Sequence, residues 1–174
     1  VFEPVTFPLQ EHLGMTLGAP DPGVGTAEVE ITPALHNPNG VVHGAVLFAM
    51  VDTSMGAATM SVLEADQACA SIEVQLRFLR AVGTGRLRAR TEVLRRGRRV
   101  VQLESRVRDD ADRLVAVATG SFAVIPAPGG RPSLDATVMA GSDADKALRS
   151  DLVERIRAAR NAPGPGDSRS AQGG

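Results

Sequence analysis

The stretch from Val41 to Leu63 is apolar almost throughout, yet it carries one carboxylate, Asp52, near its middle. Its length suffices to cross a bilayer. However, His43, Asp52, Thr53, Ser54 and Ser61 interrupt it, and a central Asp costs about 2.5–3.5 kcal/mol on insertion. No membrane span is therefore expected. Ala, Met and Leu are favoured over β-branched residues, so the sequence predicts a helix from Gly44 to about Leu63, apolar nearly all round. Such a helix must be buried in protein, and whatever surrounds it sets the fold.

Beyond the helix the apolar period falls to two. Ile72, Val74, Leu76 and Phe78 alternate with Glu73, Gln75 and Arg77, as in a half-buried strand. Leu87 to Val93 and Val101 to Val107 repeat the pattern, and a last strand covers about Arg113 to Ile125. Val82-Gly83-Thr84-Gly85, Arg96-Gly97-Arg98 and Asp109-Asp110-Ala111-Asp112 supply turn chemistry between them. Short connections imply antiparallel pairing, hence a four-stranded meander. Upstream, Gly25 to Thr32 reads as a further strand and Pro8 to Leu13 as one or two helical turns. A sheet curled round the helix buries it best, giving an α+β fold, and any helix surface left over needs a partner subunit.

The domain is expected to end at residue 126. A Pro/Gly linker (127–141), an amphipathic helix (142–162) and a disordered tail (163–174) follow. A net charge of −1 argues against nucleic acid as partner, although all but one of the nineteen basic residues are Arg, whose rigid fork suits phosphate and carboxylate. The lone cysteine, Cys69, allows no internal disulfide, and Val1-Phe2-Glu3-Pro4 lacks the features of a signal peptide, so a reducing, cytoplasmic setting is expected.

Two features point to chemistry. The segment Leu35-His-Asn-Pro-Asn-Gly-Val-Val-His-Gly44 places polar residues and glycines just before the buried helix. Unpaired N–H groups at a helix N-terminus suit a developing oxyanion, and Gly44 lets a carbonyl come close; the plainer reading is a capping loop. Asp52 is either a base raised in pKa by burial or a structural carboxylate bonded to Thr53, Ser54 or a strand backbone. Eight residues separate it from Gly44, about 12 Å along a helix axis. A substrate touching both must bridge that span, or the two groups must come from different copies of the helix. No metal is expected, because His36, His43 and Asp52 match no helical ligand spacing. The arginines at 95, 96, 98 and 99 read as a solvated hairpin turn or as a phosphate contact.

Asn37-x5-His43-Gly44-Ala45-x6-Asp52, the block Ser71-Ile-Glu-Val-Gln-Leu-Arg-Phe-Leu-Arg-Ala-Val82, Gly85, Gly97-Arg98 and Leu114-Val-Ala-Val-Ala-Thr-Gly-Ser-Phe122 together resemble the phenylacetate-degradation (PaaI) type of hotdog-fold acyl-CoA thioesterase. The resemblance runs from about Leu9 to Ile125. It implies an antiparallel sheet wrapped round one long helix, and hydrolysis of acyl-CoA without metal or cofactor at sites between subunits of a homodimer or a dimer of dimers. It also implies roles: Gly44 N–H polarises the thioester carbonyl with Asn37 beside it, and Asp52 of the opposite subunit is base or nucleophile. Ser71 orients the water or the carboxylate, His43 shapes the loop and reaches toward the thioester, and Arg77, Arg80 and Arg98 are the expected CoA contacts. Where the family has a second glycine after the histidine, this chain has Ala45. A hotdog hydratase or dehydratase, or a non-catalytic acyl-CoA-binding module, are the alternatives; the first lacks its usual His-Phe pattern here.

Overall fold

A computed structural model describes residues 6–19 and 21–127. The expected linker, amphipathic helix and tail therefore fall outside the described residues.

The elements run α1 (Pro8–His12), β1 (Thr16–Leu17), β2 (Val24–Glu30), a 3-10 turn (Pro33–Leu35), α2 (Gly44–Met60), β3 (Gln67–Phe78), β4 (Arg86–Arg96), β5 (Val100–Asp109) and β6 (Leu114–Pro126). Six strands form one antiparallel sheet in the order β1-β2-β4-β5-β6-β3, and α2 packs on the five long ones. The expected sheet curled round a helix is what forms. The short β1, which pairs Thr16 with Glu28 and Leu17 with Ala27, has no alternation long enough to be read.

The meander is three strands rather than four. Hairpin turns join β4 to β5 and β5 to β6, but β3 pairs with β6 at the far edge. The reason lies in the connection 79–85, which arches past the start of α2. Val42 N–H donates to Val82 O at 2.9 Å, and the His36 ring nitrogen Nε2 lies 2.8 Å from Gly83 O. Pinned to the loop before α2, that connection carries the chain to the other side of the sheet.

Alternation does the sorting within the strands. Ala27, Val29, Leu87, Ala89, Val101 and Leu103 turn inward and are fully buried. Between them, on the outer face, Glu28 stands opposite Arg88 and Glu30 opposite Arg86, with Arg88 Nε donating to Glu28 Oε1 at 2.6 Å. Such exposed cross-strand pairs contribute about 0.2–1 kcal/mol each, so the inner layer carries the stability. Met50, Val51, Ser54, Met55 and Ala58 of α2 complete that layer. Ser54 is satisfied there by Val51 O at 3.0 Å and by Thr91 Oγ1 at 2.7 Å.

The helix lies close to the sheet because two strand positions lack a side chain. A Cβ on Gly25 would fall on the Ser54 carbonyl oxygen, and one on Gly120 would sit 2.6 Å from Met55 Sδ. Burial on all sides, expected from the composition of α2, is not met within one chain. The side carrying Ala45, Phe48, Ala49, Asp52 and Gly56 borders an open groove.

Candidate active site

The start of α2 is set by His43, its N-cap, whose Nδ1 accepts the Ala45 N–H at 3.0 Å while its carbonyl accepts the Val46 N–H at 2.9 Å. With Nδ1 accepting, the neutral ring carries its proton on Nε2. The Gly44 N–H has no acceptor among the described residues. It is thus an open donor at the positive end of a 17-residue helix, as an oxyanion site requires. Asn37 shapes the loop before it: its Oδ1 accepts the Asn39 N–H at 2.9 Å, its N–H donates to Val41 O, and its carbonyl accepts the Gly40 N–H. Gly40 closes this turn at φ +73°, a conformation that favours glycine.

Asn37 and Gly44 share a pocket of about 460 Å³ with Leu47, Phe78, Leu79 and Arg80. Asp52 opens elsewhere, into a groove of about 790 Å³ between α1, α2 and β3. Phe7, Leu9 and Leu13 form its α1 side, Phe48 and Ala49 line it from α2, and Phe122 lies on β6. Ser71 shares the groove with Asp52, and Ala45 also borders it.

The Asp52 carboxylate has no hydrogen-bond donor and no cation partner among the described residues. Ser54, a partner weighed for it, turns instead to Val51 and Thr91. Half-buried among apolar side chains, Asp52 is raised above the ordinary carboxyl pKa by desolvation. Cys69 lines the same groove; burial, with the Asp52 charge second, pushes its thiol up to about 11, which makes it a poor nucleophile at neutral pH.

Ser71 reaches the groove because β3 carries a bulge. Ser71 pairs with Phe122 and Glu73 with Ser121, so Ile72 is the extra residue. Cys69 and Ser71 before it, and Val74 and Leu76 after it, all turn toward the α2 side, which strict alternation from 71 to 74 forbids. Ile72, read as the first inward residue of that strand, is instead 58% exposed. Met50 and Met55 of α2 belong to the core.

The three arginines separate. Arg80 borders the pocket of Asn37 and Gly44. Arg77 is exposed on β3 opposite Val117. Arg98 lies in the β4–β5 turn, toward the C-terminal end of α2 and away from Gly44, as the pairing of Val24 with Glu92 and the bond from Gly23 N–H to Ser61 Oγ show. His36 is tied to Gly83, so it and His43 do not converge with Asp52. No three His, Cys, Asp or Glu side chains form a metal set among the described residues, and no helix there is long and apolar enough to cross a membrane.

Residues 39–116 match the thioesterase superfamily. A conserved protein of Pseudomonas aeruginosa with a solved structure is 32% identical, with a TM-score of 0.66, over 69% of this chain and 95% of that one. The chain belongs to the thioesterase superfamily. This thioesterase has the hotdog fold and is a thioester hydrolase. It is also similar to the 1,4-dihydroxy-2-naphthoyl-CoA hydrolase of Listeria monocytogenes, 22% identical over 67% of this chain and 94% of the relative. The E. coli PaaI protein from the phenylacetic acid degradation operon shares its fold, with a TM-score of 0.63 and 22% identity over 67% of this chain and 83% of that one.

Proposed function

We propose that this thioesterase hydrolyses acyl-CoA to free acid and CoA at a site completed by two copies of the chain. One copy contributes Gly44 N–H and Asn37, and the other contributes Asp52 and Ser71. The observation that carries the reading is the Asp52 carboxylate, unpartnered and raised in pKa inside an apolar groove. A structural carboxylate would hold donors; a base or nucleophile keeps its lone pairs free.

In this scheme the thioester carbonyl oxygen accepts the Gly44 N–H, and negative charge develops at the end of α2 where the helix dipole favours it. Asp52 either takes a proton from the attacking water or adds to the carbonyl itself, in which case loss of the thiolate leaves an acyl-aspartyl anhydride that water then hydrolyses to the free acid and the restored carboxylate. Ser71 Oγ orients the water or the carboxylate. Collapse of the tetrahedral species expels the CoA thiolate, a good leaving group that needs little acid assistance.

The groove beside Asp52 supports an apolar acyl group. Phe7, Phe48 and Phe122 border it, three of only five aromatic residues in a chain without Trp or Tyr, and ring edges and faces favour an aromatic acyl group. Arg80, at the pocket of Gly44, suits the phosphates of CoA. A panel of acyl-CoAs with thiol release as readout tests the reading. Phenyl-bearing acyl groups are expected to exceed acetyl in kcat/KM by at least tenfold. Absence of thiol release from every acyl-CoA would overturn the proposal.

A further inference from the structure

Phe78 ends β3 in a place that its strand pattern does not explain. It follows Val74 and Leu76 in phase, yet it is 58% exposed, whereas those two pack on the core. Its ring lies against Gly44. A Cβ built on Gly44 would stand 2.9 Å from Phe78 Cζ and 3.2 Å from Cε1, so the ring fills the space of the side chain that Gly44 lacks. The backbone after Phe78 is held, since Leu79 N–H and Arg80 N–H both donate to Val115 O, at 2.9 and 3.2 Å. The ring is therefore a wall of the pocket that holds Asn37 and Arg80, placed next to an amide with no acceptor.

We infer that Phe78 is a positioning residue for hydrolysis, its ring setting the path by which the thioester carbonyl meets the Gly44 N–H. This rests on the proposed role of Gly44. A hydrogen bond to an oxyanion depends steeply on distance and angle, and a misplacement of about 1 Å can cost about a hundredfold in rate. A flat wall beside the donor narrows the approach without making a polar contact of its own. It also bears on glycine at position 44 besides free access to the amide: a Cβ there would press on the tip of the ring and turn it from its place.

Phe78→Ala is expected to lower kcat at least tenfold while KM changes less than threefold, because remote parts of the substrate still bind. Phe78→Leu, which keeps an apolar wall, should regain most of the loss. Gly44→Ala should cost far more in the unmodified protein than in the Phe78→Ala background, where no ring remains to be displaced. Wild-type kcat in Phe78→Ala, a loss confined to KM, or losses that simply multiply in the double variant would each overturn the inference. The contact has a signature independent of activity: the Gly44 Hα resonances should be shifted by the ring current in the unmodified protein and return toward ordinary glycine values in Phe78→Leu. Unshifted resonances in the unmodified protein would remove the geometric basis. If the unmodified protein releases no thiol from any acyl-CoA, the reading of the site fails, whereas the ring-current measurement still judges the contact.

Discussion

Gly44 and Asp52 lie on the same helix, eight residues apart, and open into different cavities. About 12 Å of helix separates them. Between them Leu47 faces the pocket of Gly44, whereas Ala45, Phe48 and Ala49 line the groove of Asp52. An amide donor without an acceptor and a carboxylate without a partner thus lie on one rigid element, about two helical turns apart.

Replacing Asp52 separates chemistry from stability. Asp52→Asn keeps the size of the side chain but removes its basicity and its nucleophilic oxygen, so kcat should fall by about 10²–10⁴ with the fold intact. Ser71→Ala, which removes only an orienting hydroxyl, should cost less. Equal losses would contradict that ranking. The Asp52 carboxyl is raised in the folded chain, so the stability it contributes is full below the unfolded carboxyl pKa and is lost as pH rises through the folded value. Asp52→Asn should therefore melt higher than the unmodified protein at pH 7, a difference that disappears in acid.

The fold leans on Gly25, where α2 crosses β2. Gly25→Ala would drive a methyl into the Ser54 carbonyl, a backbone atom that cannot swing aside. A loss of about 3 kcal/mol, the upper end for overpacking, is expected in denaturant unfolding. Gly56→Ala is the control, since its Cβ would meet only Phe122 Cε1 at 4.0 Å, and it should change stability little.

How much of this could be read from the residues varies with how local the cause is. The helix start was legible because His43-Gly44 interrupts an apolar run, and β4 to β6 because their turns are short and their alternation is clean. The place of β3 was not: the connection 79–85 looks like a hairpin turn until its bonds to the loop at 36–42 are seen, and those are long-range. Asp52 and Gly44 stood out as anomalies in the sequence itself, whereas Asn37 and Ser71 were reached through a resemblance. Ile72 extended an alternation that hid the bulge. Phe78 read as one more core position, and no local signal distinguishes a ring packed on Gly44 from one packed on the sheet.

The β5–β6 turn offers a pH test. Asp109, with a side chain only 4% exposed, accepts the Ala111 and Arg113 N–H groups and pairs with the Arg113 guanidinium. Arg113 holds its carboxyl below the ordinary value. The stability it contributes is therefore complete above the unfolded carboxyl pKa and is lost as pH falls through the folded one. Asp109→Asn should lower the melting temperature at pH 7 and flatten its decline below about pH 4. An unchanged acid limb would show that this carboxylate does not govern it.

The distance between Gly44 and Asp52 leads to a decisive mixing experiment. Asn37→Ala and Asp52→Ala should each be inactive alone, since every site then carries a lesion. If sites are shared across a two-fold assembly, a mixed dimer holds one site with both lesions and one with neither. Random re-pairing of equal amounts makes about half of the dimers mixed, each with one intact site of two, so activity should return to about one quarter of the unmodified protein. If each chain instead completes its own site, every site keeps one lesion and nothing returns. Subunit exchange, verified with differently tagged chains, makes the two outcomes distinguishable, and no recovery after confirmed exchange would falsify the two-chain site.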